Sequence, residues 1–277
     1  MVCACRGGVS PKGQVMMPAL NVQDLHQRYG GVHALQGLSF TVSQGECVAL
    51  IGPNGAGKST CFACLAGQQN AMQGHVTWRE NKLSNLPPES RRAMGIARTF
   101  QVAQVFEALS VFQNLQLALK ARLGVSMWDT LDSCEVDAAL FWLQKMGLEN
   151  LNAHSLHEPA MNLSYGAKKR LELALAMAGL PQPEMGLLLL DEPAAGLSPS
   201  ERVDMMQRVK ALAQEGTTVL YTEHNMDAVF GVADRVLVLM EGQLVAQGLP
   251  HEVAANAMVR ERYLGTSLDS LAFSRHA

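Results

Sequence analysis

The chain has 277 residues, 48% of them hydrophobic, enough for one large core or a core with an attached subdomain. Its net charge of −3 and pI of about 6.2 exclude a general polyanion-binding surface, so no nucleic-acid partner is expected and any phosphate must be held locally. The most apolar run, MGLLLL before Asp191, is far too short to cross about 30 Å of hydrocarbon.

Residues 1–17 are small, polar and punctuated by Gly and Pro, without the continuous apolar stretch of a secretory signal. They are expected to form a disordered tail, with Met16 or Met17 as an alternative start. ALNVQDLHQRY alternates as a strand does and ends at Tyr29. LSFTV and ECVALIG follow as strands, separated by the turn-like SQGE. A glycine loop runs from Gly52 to Ser59, and KSTCFACLAG then reads as a helix ending at Gly67. The pair Cys61 and Cys64 lies inside that helix, and no second pair at zinc-site spacing follows. Small core thiols in a reducing cytosol are the expectation.

GHVTWREN reads as a surface strand and GIARTFQ as another. From about Ala108 to Ala178 the apolar residues recur at three- and four-residue steps, in SVFQNLQLALKARL, DAALFWLQKMGL and AKKRLELALAMA. This reads as a helical insertion, and its apolar residues Phe106, Phe112 and Leu115 are candidates for docking on another subunit. Strand signals return at GLLLLDE, TTVLYTE and DRVLVLMEGQLVAQG, with helices between them at SPSERVDMMQRVKALAQ and MDAVFGVA. Alternating strands and helices predict a parallel α/β sheet. LLLLDE, apolar on both faces, predicts a central strand.

GPNGAGKST fits the pattern GxxxxGK(S/T) at Gly52, Gly57, Lys58 and Ser59. It follows a strand and opens a helix, the context such a loop needs to wrap phosphate oxygens with inward-turned N–H groups. Lys58 then reaches the β- and γ-phosphates and the Ser59 hydroxyl ligates Mg2+. Asp191 ends a buried strand, where a carboxylate can hold the Mg2+ shell, and Glu192 after it can polarise an attacking water. His224 ends the next strand, at the sheet edge where ligands bind, and is a candidate contact for the γ-phosphate or that water. Gln101 can ligate Mg2+ or water and report nucleotide state to the insertion. Tyr29 can stack on adenine or simply pack. Ser164 and Gly166 open the helix after Leu163, with N–H groups and the positive dipole end facing outward. A second phosphate-seeking helix start makes sense if it caps ATP held by another copy; a plain Ser/Gly helix cap is the alternative.

Together these parts resemble the ATP-binding subunit of ABC transporters over about Leu20 to Gly265. Tyr29 resembles the adenine-stacking aromatic. The run Gly52, Pro53, Asn54, Gly55, Ala56, Gly57, Lys58, Ser59 and Thr60 resembles Walker A, and Gln101 the Q-loop. LSYGA resembles the signature, LLLLDE Walker B, AGLS the D-loop and His224 the switch histidine. The resemblance implies a P-loop NTPase (RecA-like) α/β core with an antiparallel β edge and a helical subdomain at about 106–178. The whole would span 18–266, with a C-terminal tail at 267–277. It further implies ATP and Mg2+, a second ATP-binding subunit (same or related), two integral membrane permease subunits and, indirectly, a periplasmic solute-binding protein. The place of action would be the cytoplasmic face of the inner membrane.

GIARTFQ, LSYG, DEPAAGLSPSE, TEHNMDAVFGVADRVLVL and VRERYLG resemble the subunit serving branched-chain amino-acid importers, a group whose relatives also serve urea and other amides. The alternatives are an export engine of the lipopolysaccharide type and a soluble ABC ATPase such as the iron–sulfur assembly type. Two positions depart from the family pattern. Ala167 replaces the Gln or Glu that usually ends the signature, and Ser198 replaces the common Asp of the D-loop. SPSE explains the second as an N-cap Ser with Pro199 at the first helical position and Glu201 closing a capping box.

Overall fold

The computed structural model describes residues 18–124, 133–148 and 157–264. The tails expected over 1–17 and 267–277 lie outside them, as do Cys3 and Cys5. The chain opens with β1 (Pro18–Tyr29), β2 (Val32–Ser43) and β3 (Cys47–Ile51), followed by helix α1 (Lys58–Ala66). Next come β4 (Gln73–Trp78), β5 (Asn81–Lys82), α2 (Pro88–Ala93) and β6 (Ile96–Arg98). The helical stretch supplies α3 (Val111–Leu123), α4 (Ser133–Lys145) and α5 (Tyr165–Ala178). Then β7 (Leu187–Asp191), α6 (Pro199–Gln214), β8 (Thr218–Thr222), α7 (Met226–Phe230), β9 (Arg235–Met240), β10 (Gln243–Gly248) and α8 (Pro250–Ala255) complete the described core.

Two sheets result. One is antiparallel in the order β2-β1-β4-β5; the other runs β10-β9-β3-β8-β7-β6, parallel except for the β10 edge. Strand residues of the second sheet alternate between two cores, as the pleat demands. Val48, Leu50, Leu187, Leu189, Leu220, Leu237 and Leu239 face the antiparallel sheet and α1. Ala49, Ile51, Leu188, Leu190, Val219, Tyr221 and Val238 face the helices, and this second core continues without a break into Leu115, Trp142 and Leu171 of the helical stretch. The insertion therefore shares its core with the sheet. Leu115 is wholly buried, which withdraws it as a docking residue; Phe112 is partly buried against the core, and Phe106 remains 58% exposed.

DRVLVLMEGQLVAQG, read as one strand signal, is a hairpin of β9 and β10. Glu241 and Gly242 both take positive φ, 48° and 78°, the two-residue turn that matches strand twist. The strand expected at GHVTWREN is β4, and it is not wholly at the surface, since Val76 and Trp78 are buried beneath it. Helix α1 ends as expected at Gly67, in the left-handed region at φ 79°. Ser198 and Glu201 form the expected capping box on α6. Cys61 and Cys64 are buried and free, and burial raises both thiol pKa values, Cys64 to about 11, so neither is poised as a thiolate. Helix α2 was not signalled by periodicity, being only six residues long. Its buried Arg91 ties the end of α1 to the loop before α2 by donating to the carbonyls of Leu65 (2.8 Å), Leu83 (2.7 Å) and Leu86 (3.0 Å).

Candidate functional site

The glycine loop connects β3 to α1. A Cβ on Gly52 would run into the Leu239 carbonyl and one on Gly57 into the Ala34 carbonyl, so close backbone packing requires glycine at both. Gly55, at φ 80°, faces open space, and Asn54 beside it is exposed, so a ligand can approach the loop there. Pro53 accepts from the Ala56 N–H at 3.2 Å, and Ala56 is buried. Helix α1 has no side-chain cap, which leaves its first-turn N–H groups available to an anion. Lys58 folds back over the loop, with Nζ donating to the Gly52 (2.7 Å) and Pro53 (3.1 Å) carbonyls. Burial pushes its pKa down, while Glu192 and Asp191 pull it back up. Ser59 lies exposed in the first turn of α1, with Thr60 next to it.

Parallel pairing sets Asp191 beside Thr222 in register. The Thr222 hydroxyl donates to Asp191 Oδ1 at 2.8 Å, and Arg98 donates to Oδ2 at 3.1 Å. Glu192 leaves the strand at φ 48°, a conformation costing a non-glycine residue about 1–3 kcal/mol. Its N–H is held by both the carbonyl (3.2 Å) and the hydroxyl (3.0 Å) of Thr222. The turn aims the carboxylate at two of the other candidates. Gln101 Nε2 donates to Oε2 at 3.1 Å, and His224 Nε2 lies 2.9 Å from Oε1. Gln101, Glu192 and His224, scattered in sequence, thus form one hydrogen-bonded group.

Behind it, the buried Glu223 accepts from the Ala194 N–H (2.8 Å) and the His224 N–H (3.2 Å), fixing the loop after Glu192 against the histidine. Burial pushes the Glu223 carboxyl up, opposed by these backbone donors. Tyr29 stands at the end of β1, 43% exposed, and its hydroxyl donates to Gln69 just past α1. Ser164 caps α5 by accepting from the Ala167 N–H at 3.2 Å. Gly166 is covered within the chain, since a Cβ there would stand 2.5 Å from Glu201 Oε1. Ala167 is only 6% exposed and belongs to the helix-side core, so a small apolar residue suits the position where the family usually has Gln or Glu.

The donors available to a metal are all hard oxygens: the Asp191 carboxylate, the Ser59 hydroxyl and the Gln101 amide. They fit Mg2+, which prefers one or two carboxylates completed by phosphate and water. Among the described residues no group of three or more His, Cys, Asp or Glu could hold a metal. Arg98, Thr222 and Glu223 were missed in the sequence. As single polar residues in or just after strands they carry no motif; only the sheet register brings them to the carboxylates.

A glycine loop between strand and helix, with carboxylates at the end of β7, a parallel strand of the same sheet separated from β3 by β8, defines a nucleotide-hydrolysing P-loop cassette. Residues 35–195 match the family described as ABC transporter, and the chain belongs to that family as an ATPase subunit. It is 39% identical over 259 residues to the high-affinity branched-chain amino acid transport ATP-binding protein LivG of Salmonella typhimurium, covering 90% of this chain and 98% of that one. It is 33% identical over 258 residues to BraF of Pseudomonas aeruginosa, a protein of the same description, and 32% identical over 249 residues to the lipopolysaccharide export system ATP-binding protein LptB of Escherichia coli, each with the same two coverages. A nucleotide-free ATP-binding cassette from an ABC transporter superposes with a TM-score of 0.78 at 30% identity, covering 90% of this chain and all of that one. An ABC transporter cassette in its ADP conformation gives the same score at 29% identity, covering 90% and 99%.

Proposed function

We propose that the chain is the ATP-hydrolysing subunit of an importer for branched-chain amino acids or a related small amide or urea solute. The likeness to LivG, running the length of both chains at 39% identity, carries this reading. In it, the Gly52–Thr60 loop and Lys58 hold the ATP phosphates, and Tyr29 stacks on adenine. Ser59, Gln101 and Asp191 would hold Mg2+, whose chemistry when bound is to neutralise charge on the β- and γ-oxygens. Glu192 takes a proton from the attacking water, and His224 contacts the γ-phosphate. Gln101 and His224 each engage one Glu192 oxygen, and each oxygen keeps a further lone pair with which it can accept from water. Ser164 and Gly166 cap the ATP of a second subunit; Glu201 must swing off Gly166 for this to happen.

Lys58→Ala should weaken ATP binding roughly tenfold or more, since a charge-assisted contact is worth about 1.5–3 kcal/mol. Titration calorimetry with ATP checks this, and unchanged affinity would remove Lys58 from the phosphates.

Among the described residues no helix is long and apolar enough to cross a membrane, so transport requires separate permease subunits. A cleft of about 490 Å³ between the end of α1, β6 and helices α3 and α5, with Phe100, Gln104 and Phe106 in its wall, suits contact with them. A solute-binding protein would act through those permeases, and the chain would work peripherally at the cytoplasmic face of the inner membrane. In cells the chain should then sediment with membranes only when its permeases are present, and its loss should abolish uptake of labelled leucine, isoleucine and valine, or of urea. Normal uptake of all four, or membrane association without any permease, would overturn the importer reading. A lipopolysaccharide-export defect in their place would favour the exporter class.

A further inference from the structure

Arg98 is the last residue of β6, and the proposed chemistry gives it no task. Parallel pairing sets it against Leu189, two residues before Asp191. Its side chain is 11% exposed and that of Asp191 15%, so the pair is largely shut off from water. The guanidinium carbon lies 5.9 Å from the centre of the Phe62 ring and 5.3 Å from that of Phe100, within reach of a cation–π attraction. One terminal nitrogen donates to Gln68 Oε1 and the other to Asp191 Oδ2 at 3.1 Å. Nε is buried with no partner among the described residues. A pair built for rigidity would lay two parallel N–H groups on the carboxylate. Here one nitrogen meets one oxygen, and the orphaned Nε costs free energy.

The other cations near these carboxylates are committed elsewhere. Lys58 Nζ donates to the Gly52 and Pro53 carbonyls. The buried Lys169 of α5 donates to the Phe100 carbonyl at 2.9 Å. Glu172, one turn further on, accepts from the Phe100 N–H at 3.1 Å and the Gln104 N–H at 3.2 Å. Arg98 is therefore the cation in direct contact with Asp191. A buried carboxylate left without a cation is costly, so a metal ligand that is at times free of metal needs such a partner.

We propose that Arg98 is a positioning residue that serves Asp191 as a placeholder cation: it holds the carboxylate while no metal is bound and yields it to Mg2+ arriving with nucleotide. Its charge opposes a divalent cation coming alone, whereas a cation already neutralised by phosphates is not repelled. The pair thus makes the site refuse loose metal and accept the metal–nucleotide complex. This rests on the reading that Asp191 helps to hold Mg2+.

The test titrates the full-length, nucleotide-free chain with Mn2+, followed by the electron paramagnetic resonance of the free ion. Arg98→Gln should bind Mn2+ at least about tenfold more tightly than the parent, and Arg98→Lys, which keeps the charge, within about threefold of it. Adding Asp191→Asn to Arg98→Gln should remove the gain; a gain that survives would put the metal elsewhere and overturn the proposal. An equal gain in Arg98→Lys would trace the effect to lost packing and overturn it as well. Should Arg98→Gln not fold, the parent carries the test by nuclear magnetic resonance, with the Arg98 signal assigned by its loss in Arg98→Lys. Rotation of the Arg98 guanidinium should quicken at least about threefold when Mg2+ joins the ADP-bound chain, since release from Asp191 frees it. Unchanged rotation would overturn the placeholder. If Mg2+ strengthens nucleotide binding equally in the parent and in Asp191→Asn, the reading of Asp191 fails and the placeholder with it. If that reading holds and Arg98→Gln binds Mn2+ no more tightly than the parent, the placeholder alone is overturned.

Discussion

Replacing Glu192 with Gln is expected to lower ATP turnover by roughly 10²–10⁴-fold, the usual contribution of a positioned general base. The substitution keeps shape and an acceptor for Gln101, so the 100–104 segment and His224 should stay in place. What disappears is a group able to accept the proton of water. The strained backbone at Glu192 and its two side-chain partners direct the carboxylate to one place, and such strain is typical where position matters more than stability. ATP affinity should change little, because the Gly52–Thr60 loop is untouched. With hydrolysis blocked, ATP-bound pairs should accumulate and elute as dimers in Mg2+-free ATP. Steady-state phosphate release measures the first effect, and turnover within about threefold of the parent would remove Glu192 from the role.

Gly166→Asp is expected to abolish ATP-driven association while leaving the separate subunit folded and able to bind ATP within about twofold. A Cβ at this position meets only the flexible end of Glu201, which can shift, and Leu197 at 3.6 Å. The added carboxylate is the damaging part. It is repelled by Glu201 and driven outward, onto the surface where Ser164 and the start of α5 would meet a phosphate. The favourable helix-end contribution of about 0.5–1 kcal/mol is thereby replaced by a repulsion between anions. Association should be followed by sedimentation in the Glu192→Gln background, with Gly166→Ala as the uncharged control. Equal association of the Asp variant would show that this helix start does not face phosphate.

The candidate residues were legible to different degrees. GPNGAGKST was readable because its geometry is a property of contiguous backbone: the glycines, the helix start and Lys58 all come from nine successive positions. Asp191 and Glu192 were readable because an apolar run ending in two carboxylates has few other uses. Arg98, Thr222 and Glu223 were invisible, since nothing local distinguishes them from other polar residues near strand ends. Lys169 and Glu172 left a weak signal, two charges one turn apart in a helix otherwise rich in Leu and Ala. Their partners, Phe100 and Gln104, lie about seventy residues earlier in the chain.

By itself the sequence determined the parallel α/β order, the glycine loop after β3 and the helix caps, and it singled out the candidate site residues. These follow from hydrophobic period, turn chemistry and short-range backbone geometry, all of which act within a few residues. Only the tertiary structure decided that Gln101 and His224 share Glu192, that Thr222 and Arg98 hold Asp191, that Leu115 belongs to the core, and that α5 grips the segment around Gln101. Those contacts join residues far apart in the chain. They are set by which strands lie side by side and in what register, a choice made by the burial of both faces of the six-stranded sheet at once.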